Sequence, residues 1–122
     1  MTNPLRCYYY PNIALSSTCI VVEERWCYVK VHRKGRDVLV AVCDEALLGR
    51  EIQAGDLRLR VKEEFYGGVR VRVSEIASYL EEATIVNALG NDVVSELAKL
   101  IEVVMDAAVD IGGVLHVQLL LR

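Results

Sequence analysis

Residues 26 to 32 alternate along the chain. Cys27, Val29 and Val31 fall on one side and Trp26, Tyr28, Lys30 and His32 on the other, the period of a half-exposed strand. After the polar, glycine-containing turn Arg33-Lys34-Gly35-Arg36, the stretch from Asp37 to Cys43 is almost continuously apolar and β-branched. That pattern predicts a central strand paired antiparallel to the first. Asp44 to Leu48 reads as one helical turn, with carboxylates at its start, where the helix dipole favours them, and Gly49 at its end.

Further along, Asp56 to Val61 and Val69 to Val73 each alternate arginine with an aliphatic residue around Gly67-Gly68, which predicts a hairpin. Ser74 is placed to cap a helix running to about Glu82. Thr84 to Ala88 is a short buried strand, and Gly90-Asn91-Asp92 opens a second helix. Its apolar stripe runs through Val93, Val94, Leu97, Leu100, Ile101, Val104, Met105 and Ala108. Gly112-Gly113 ends that segment and Val114 to Leu121 forms a last strand. A strand, a long helix and a strand in succession predict a crossover that sets the last strand parallel to Thr84–Ala88. The fold expected is α+β: a mixed sheet of five or six strands, two main helices and a C-terminal strand-helix-strand crossover. Residues 1–25 lack a clear period, although Cys19 to Val22 suits an edge strand; they read as an extension packed on a single domain of residues 26–122.

Composition narrows the class. The chain has 122 residues, of which 53% are hydrophobic, and a formal net charge of -3. This suits one folded domain and excludes a disordered one. No apolar run approaches the roughly 20 residues that span a bilayer. Met1 to Pro11 offer no continuous apolar core for a signal peptide, so a cytoplasmic location is expected. The total charge conceals a division. Residues 25–72 hold eleven basic and seven acidic side chains, whereas residues 73–122 hold two and eight. Cys7, Cys19, Cys27 and Cys43 form no paired knuckle, so reduced, metal-free thiols are expected rather than zinc ligands, and no cofactor is implied.

Several stretches in combination resemble an archaeal family known only as domain of unknown function 424: Tyr28-Val29-Lys30-Val31-His32, Val38-Leu39-Val40-Ala41-Val42-Cys43-Asp44-Glu45, Leu48-Gly49, Gly55-Asp56-Leu57-Arg58-Leu59, Glu64-Phe65-Tyr66-Gly67-Gly68, Ala83-Thr84-Ile85 and Ile111-Gly112-Gly113-Val114. The resemblance covers most of the chain from Trp26 onward. It implies a fold and an archaeal source, and transfers no catalytic residue.

Two functional readings follow from the residues. Arg58, Arg60, Arg70 and Arg72, set on one face of the expected hairpin with Tyr66 in its loop, suit a non-catalytic module for RNA or for a protein of the information-processing machinery. A solvated face paired with acidic neighbours is the simpler reading of the same arginines. The alternative is a small-ligand or enzymatic site where two strands end at Asp44-Glu45 and at Asn91, with Asn87 nearby, should those strands be parallel. Helix capping accounts for these residues without a ligand. His32 and Cys43 fall at opposite ends of their strand pair, which excludes a dyad, and His116 and Asn87 are expected at opposite edges of the sheet. Finally, a mean hydropathy of +0.28, the apolar strand Val114–Leu121 and the run Tyr8–Tyr10 point to a homodimer. Neither a membrane nor a metal is an expected partner.

Overall fold

The computed structural model describes the backbone of Leu5–Tyr9 (β1) and Cys19–Glu23 (β2) and all of residues 24–122. β1 and β2 pair antiparallel as a small sheet of their own. The expected packing of residues 1–25 on the domain and the side chains of Tyr8–Tyr10 lie outside the described residues.

Trp26–Lys34 (β3) and Asp37–Asp44 (β4) form the expected antiparallel pair, in register from Cys27 opposite Asp44 to Lys34 opposite Asp37. A short 3-10 turn, Glu45–Leu47, follows β4 where the sequence places a helical turn. Next come Glu51–Ala54 (β5), Leu57–Arg60 (β6), Val69–Arg72 (β7), Ile85–Leu89 (β8), Val109–Ile111 (β9) and Val114–Leu120 (β10). Six of these strands make a mixed sheet in the order β7-β3-β4-β8-β10-β9. The architecture is α+β, as expected.

One face of this sheet carries Val40, Val42, Val86, Ala88 and Val117 and is covered by Ile76–Tyr79 (α2), Asn91–Leu100 (α3) and Val104–Ala107 (α4). Burying each aliphatic side chain there, such as Leu97 or Val104, contributes about 1.5–3 kcal/mol. The other face carries Ala41, Cys43 and Leu89 and is covered by Glu63–Tyr66 (α1), a single turn, together with Ile52 of β5 and Val61 just past β6.

Four expectations are corrected. First, the segments 56–61 and 69–73 are not a hairpin. β6 pairs with β5 across the two-residue turn Gly55-Asp56, where Gly55 takes φ +61°, and β7 pairs with the edge of β3. A partner two residues away costs far less chain entropy than one across the 61–68 loop. Second, the helix expected from Ser74 to Glu82 is a 3-10 turn at Val73–Glu75 followed by α2 alone; Ser78 rather than Ser74 bonds the backbone there, donating to the Glu75 carbonyl.

Third, the long amphipathic helix stops at Leu100. Ile101 is extended, at φ -132° and ψ 115°, within the β-branched run of Ile101, Val103 and Val104, which holds a helix weakly. α4 then returns Val104 to the core. Fourth, β10 is antiparallel to β8, not parallel. The strand that leaves the helices is β9, which was absent from the sequence pattern. It runs in the direction of β8, and the Gly112-Gly113 turn folds β10 back into the gap between them.

Candidate functional site

β4 and β8 are parallel, which the ligand-site reading required. At their carboxyl ends the Asp44 carboxylate turns onto the start of α3. Its Oδ1 accepts the Val93 N–H at 2.9 Å and its Oδ2 the Asp92 N–H at 3.1 Å. The amides that an anionic ligand would use are therefore held by the protein's own carboxylate, from a residue far away in sequence. Burial pushes the Asp44 carboxyl up to about 6, against the pull of these two amides, which favour its carboxylate form. Gly90 gives the carboxylate its space.

Asn91, beside it, ties the helix to the β9–β10 turn. Its Nδ2 donates to the Gly113 carbonyl at 3.2 Å and its Oδ1 accepts the Leu115 N–H at 2.9 Å. Arg25 bonds Asp92 at 3.1 Å. Glu45 faces the other way and pairs with Arg70. Asn87 is not at this edge but in mid-strand opposite Ala41. The four residues Asp44, Glu45, Asn87 and Asn91 therefore do not converge.

Asn87 belongs to a second cluster. Only 7% exposed, its Oδ1 accepts the Tyr66 hydroxyl at 2.6 Å and lies 3.2 Å from His116 Nε2, while its Nδ2 donates to Gln118 Oε1 at 2.7 Å. The expectation that His116 and Asn87 occupy opposite edges is thus overturned, because an antiparallel β10 brings His116 and Gln118 alongside β8 on one face. Desolvation lowers the His116 pKa and raises that of the Tyr66 phenol. Both shifts favour the neutral rings, as hydrogen-bonding members of a buried network. Replacing Tyr66 by Phe removes one donor from a buried amide oxygen and is expected to cost about 1–2 kcal/mol in urea denaturation; an unchanged midpoint would refute that role.

The basic residues lie elsewhere. Arg58 and Arg60 are on β6, where Arg58 lies 3.8 Å from Glu51 across the hairpin. Arg70 and Arg72 are on β7, in register with Tyr28 and Trp26 of β3. Arg70 lies 4.0 Å over the Trp26 ring and Arg72 at 5.3 Å, their side chains 46% and 49% exposed. Arg70 pairs with Glu45, whose hydrogen bond raises the guanidinium pKa, and Arg72 lies 3.6 Å from Glu24. The four arginines are split between two sheets, and Tyr66, 7% exposed with its hydroxyl committed to Asn87, is no base-stacking platform. Trp26, with Tyr28 on the same face of β3, is the aromatic that the two guanidiniums overlie. The strand alternation that sets Trp26 beside Tyr28 carried that signal, but only the β3–β7 pairing reveals the guanidiniums above it.

α1 is fastened to β3 through its carbonyls. Lys30 Nζ donates to the Glu64 carbonyl at 2.8 Å, and His32 Nε2 lies 2.7 Å from that of Phe65, whose ring stacks on the imidazole at 5.1 Å. His32 is in register with Leu39, four residues from Cys43, so the two make no dyad. Cys27 and Cys43 are buried on opposite faces, where desolvation pushes both thiols up to about 12 and keeps them from acting as thiolates. Cys7 and Cys19 lie outside the described side chains. Among the described residues, no group of three or more His, Cys, Asp or Glu side chains is placed to hold a metal ion. No helix among them is long and apolar enough to cross a membrane.

Comparison with known proteins places this arrangement. No curated protein matches the chain. A crystal structure of an uncharacterized conserved protein from Methanopyrus kandleri is similar, with a TM-score of 0.65 and 31% identity over 80% of this chain and 94% of that one. The family described as "Protein of unknown function (DUF424)" matches residues 32–121, which takes in every strand from β4 to β10 and both polar clusters. The chain belongs to the DUF424 family.

Proposed function

We propose that this protein is a non-catalytic binding module that holds single-stranded RNA on the β7–β3 end of its sheet. The observation that carries the reading is the pair of half-exposed guanidiniums, Arg70 and Arg72, gathered over Trp26 within the basic part of the chain. Their carboxylate partners are Glu45 and Glu24. Exposed ion pairs contribute only about 0–1 kcal/mol, so the Arg70–Glu45 pair yields readily to an RNA phosphate, whereas Arg72, whose partner Glu24 is 5% exposed, keeps that partner and reaches phosphate with its remaining N–H groups. The freed indole face then takes a base. Arg58 and Arg60 on β6 supply a second basic strip for the backbone of a longer strand. The alternative, a ligand held near Asp44, Glu45 and Asn91, has less support, since Asp44 already fills the helix terminus it would use.

The Methanopyrus kandleri relative supports an archaeal setting. The reading also includes self-association, as the hydropathy suggests.

The test is titration of a uridine oligonucleotide against the protein, read by the fluorescence of its single tryptophan at several salt concentrations. Affinity should fall with salt, and Arg70→Ala and Arg72→Ala should each reduce the slope by about 0.7. Trp26→Ala should cost about 1–3 kcal/mol with little change in slope. Absence of binding by the unmodified protein at low salt overturns the RNA reading, and retention of a nuclease-resistant partner from native extract would put a protein in its place.

A further inference from the structure

The two edges of the sheet differ in chemistry. On one side β7 pairs only with Trp26–Val29 of β3, so among the described residues Lys30–Lys34 have no strand partner there, although Lys30 and His32 hold α1 through the Glu64 and Phe65 carbonyls. That edge carries Lys30, Arg33 and Lys34, with Arg70 and Arg72 on β7 beside it. Charged side chains of this kind keep an unpaired strand from pairing with another. On the other side β9 covers only Val114–His116 of β10, leaving Val117–Leu120 without an outer neighbour among the described residues. No charged side chain of β10 guards this edge. β10 holds no Asp, Glu, Lys or Arg in a chain that is 25% charged, and it contains no proline or glycine.

The surroundings are apolar as well. Leu120 is 82% exposed, and Val109 of β9, in register with His116, is exposed further along the same edge. Val103 and Met105 are exposed where α3 and α4 pack against β10.

We infer that the free edge of β10 joins two copies of this chain, Val117–Leu120 pairing antiparallel with its own counterpart about a two-fold axis near Leu119. A two-fold interface sets each stretch against itself, so any charge on it would meet the same charge. The uncharged β10 meets that condition, whereas the edge bearing Lys30, Arg33 and Lys34 fails it. Pairing satisfies the outward N–H and C=O groups of residues 117–120 and joins the two six-stranded sheets into one. Leu120 and Val109 leave water in the same step. This inference rests on the self-association in the proposed function but not on RNA binding, because the Trp26 face lies at the opposite end of the sheet.

Light scattering without RNA at micromolar concentration tests it. The unmodified protein should show twice the 13.7 kDa of a single copy. Leu120→Lys should return it to the single mass. The side chain is already solvent-facing, so folding is preserved and circular dichroism should be unchanged. Val69→Lys, at a 58% exposed position on the opposite edge, should leave the double mass intact. A single mass for the unmodified protein, a double mass for Leu120→Lys, or dissociation by Val69→Lys would each overturn the assignment. Loss of RNA binding with the double mass retained would count against the proposed function alone.

Discussion

Gly90→Ala is expected to destabilise the protein by about 4 kcal/mol, a large share of the 5–15 kcal/mol typical of a domain. Two costs combine. Gly90 sits at φ +127° and ψ 146°, a conformation essentially confined to glycine, where a side chain costs about 1–3 kcal/mol. A β-carbon there would also stand 2.5 and 2.6 Å from the two Asp44 carboxylate oxygens and nearer still to their carbon. Neither group can move away freely. The Gly90 N–H donates to the Leu115 carbonyl at 2.8 Å, its carbonyl accepts from Val94 at 3.0 Å, and Asp44 is held by two amides. Asp44→Ala alone should cost about 2 kcal/mol, by stranding those amides. Placed in that background, Gly90→Ala should cost only its conformational part. Equal effects of Gly90→Ala with and without Asp44 in guanidinium denaturation would refute the steric contact.

Gly68→Ala should be comparably severe, at about 3–5 kcal/mol, and should act on the proposed binding face. Here the obstacle is backbone. A β-carbon would lie 2.8 Å from both the Lys30 α-carbon and the Val29 carbonyl carbon, and nearer to the Val29 oxygen. Since Val69 opposite Val29 begins the β7–β3 ladder, the clash pushes β7 off the sheet edge. The ladder bonds are lost, and Arg70 and Arg72 leave the Trp26 ring. Unfolding in urea should show the reduced stability, and the emission of the single tryptophan should shift under native conditions. A variant with unaltered emission and a midpoint within experimental error of the parent would show that β7 tolerates the side chain.

Much of the fold was legible because it depends on near neighbours. The alternation from Trp26 to His32, the apolar run to Cys43 and the turn between them determine β3 and β4 locally, with Gly35-Arg36 making the reversal. The ten residues of α3 follow from the Val93, Val94 and Leu97 stripe in the same way. The failures share one cause. Pairing partners are chosen by the folded chain: an arginine-aliphatic strand at 57–60 looks the same whether its partner precedes or follows it, and β9 is too short at three residues to show a period. The candidate sites inherited those errors. The sequence places Tyr66 in an exposed hairpin loop, whereas it is the buried partner of Asn87, and only the pairing of β7 with β3 sets guanidiniums over Trp26.

By itself the sequence determined the strands from Trp26 to Cys43, the start of α3, which faces of these elements are apolar, where charge is absent, and the family to which the chain belongs. Those properties are local, since side-chain period and turn chemistry act within a few residues. Only the tertiary structure decided that Asp44 fills the start of α3, that His116 meets Asn87, that Arg70 and Arg72 gather over Trp26, and that Val117–Leu120 is left bare. Each of these joins residues remote in sequence through strand order and register. Order and register are set by the summed burial of both sheet faces and by the few glycines that let backbones and carboxylates approach, and neither quantity exists until the chain has closed on itself.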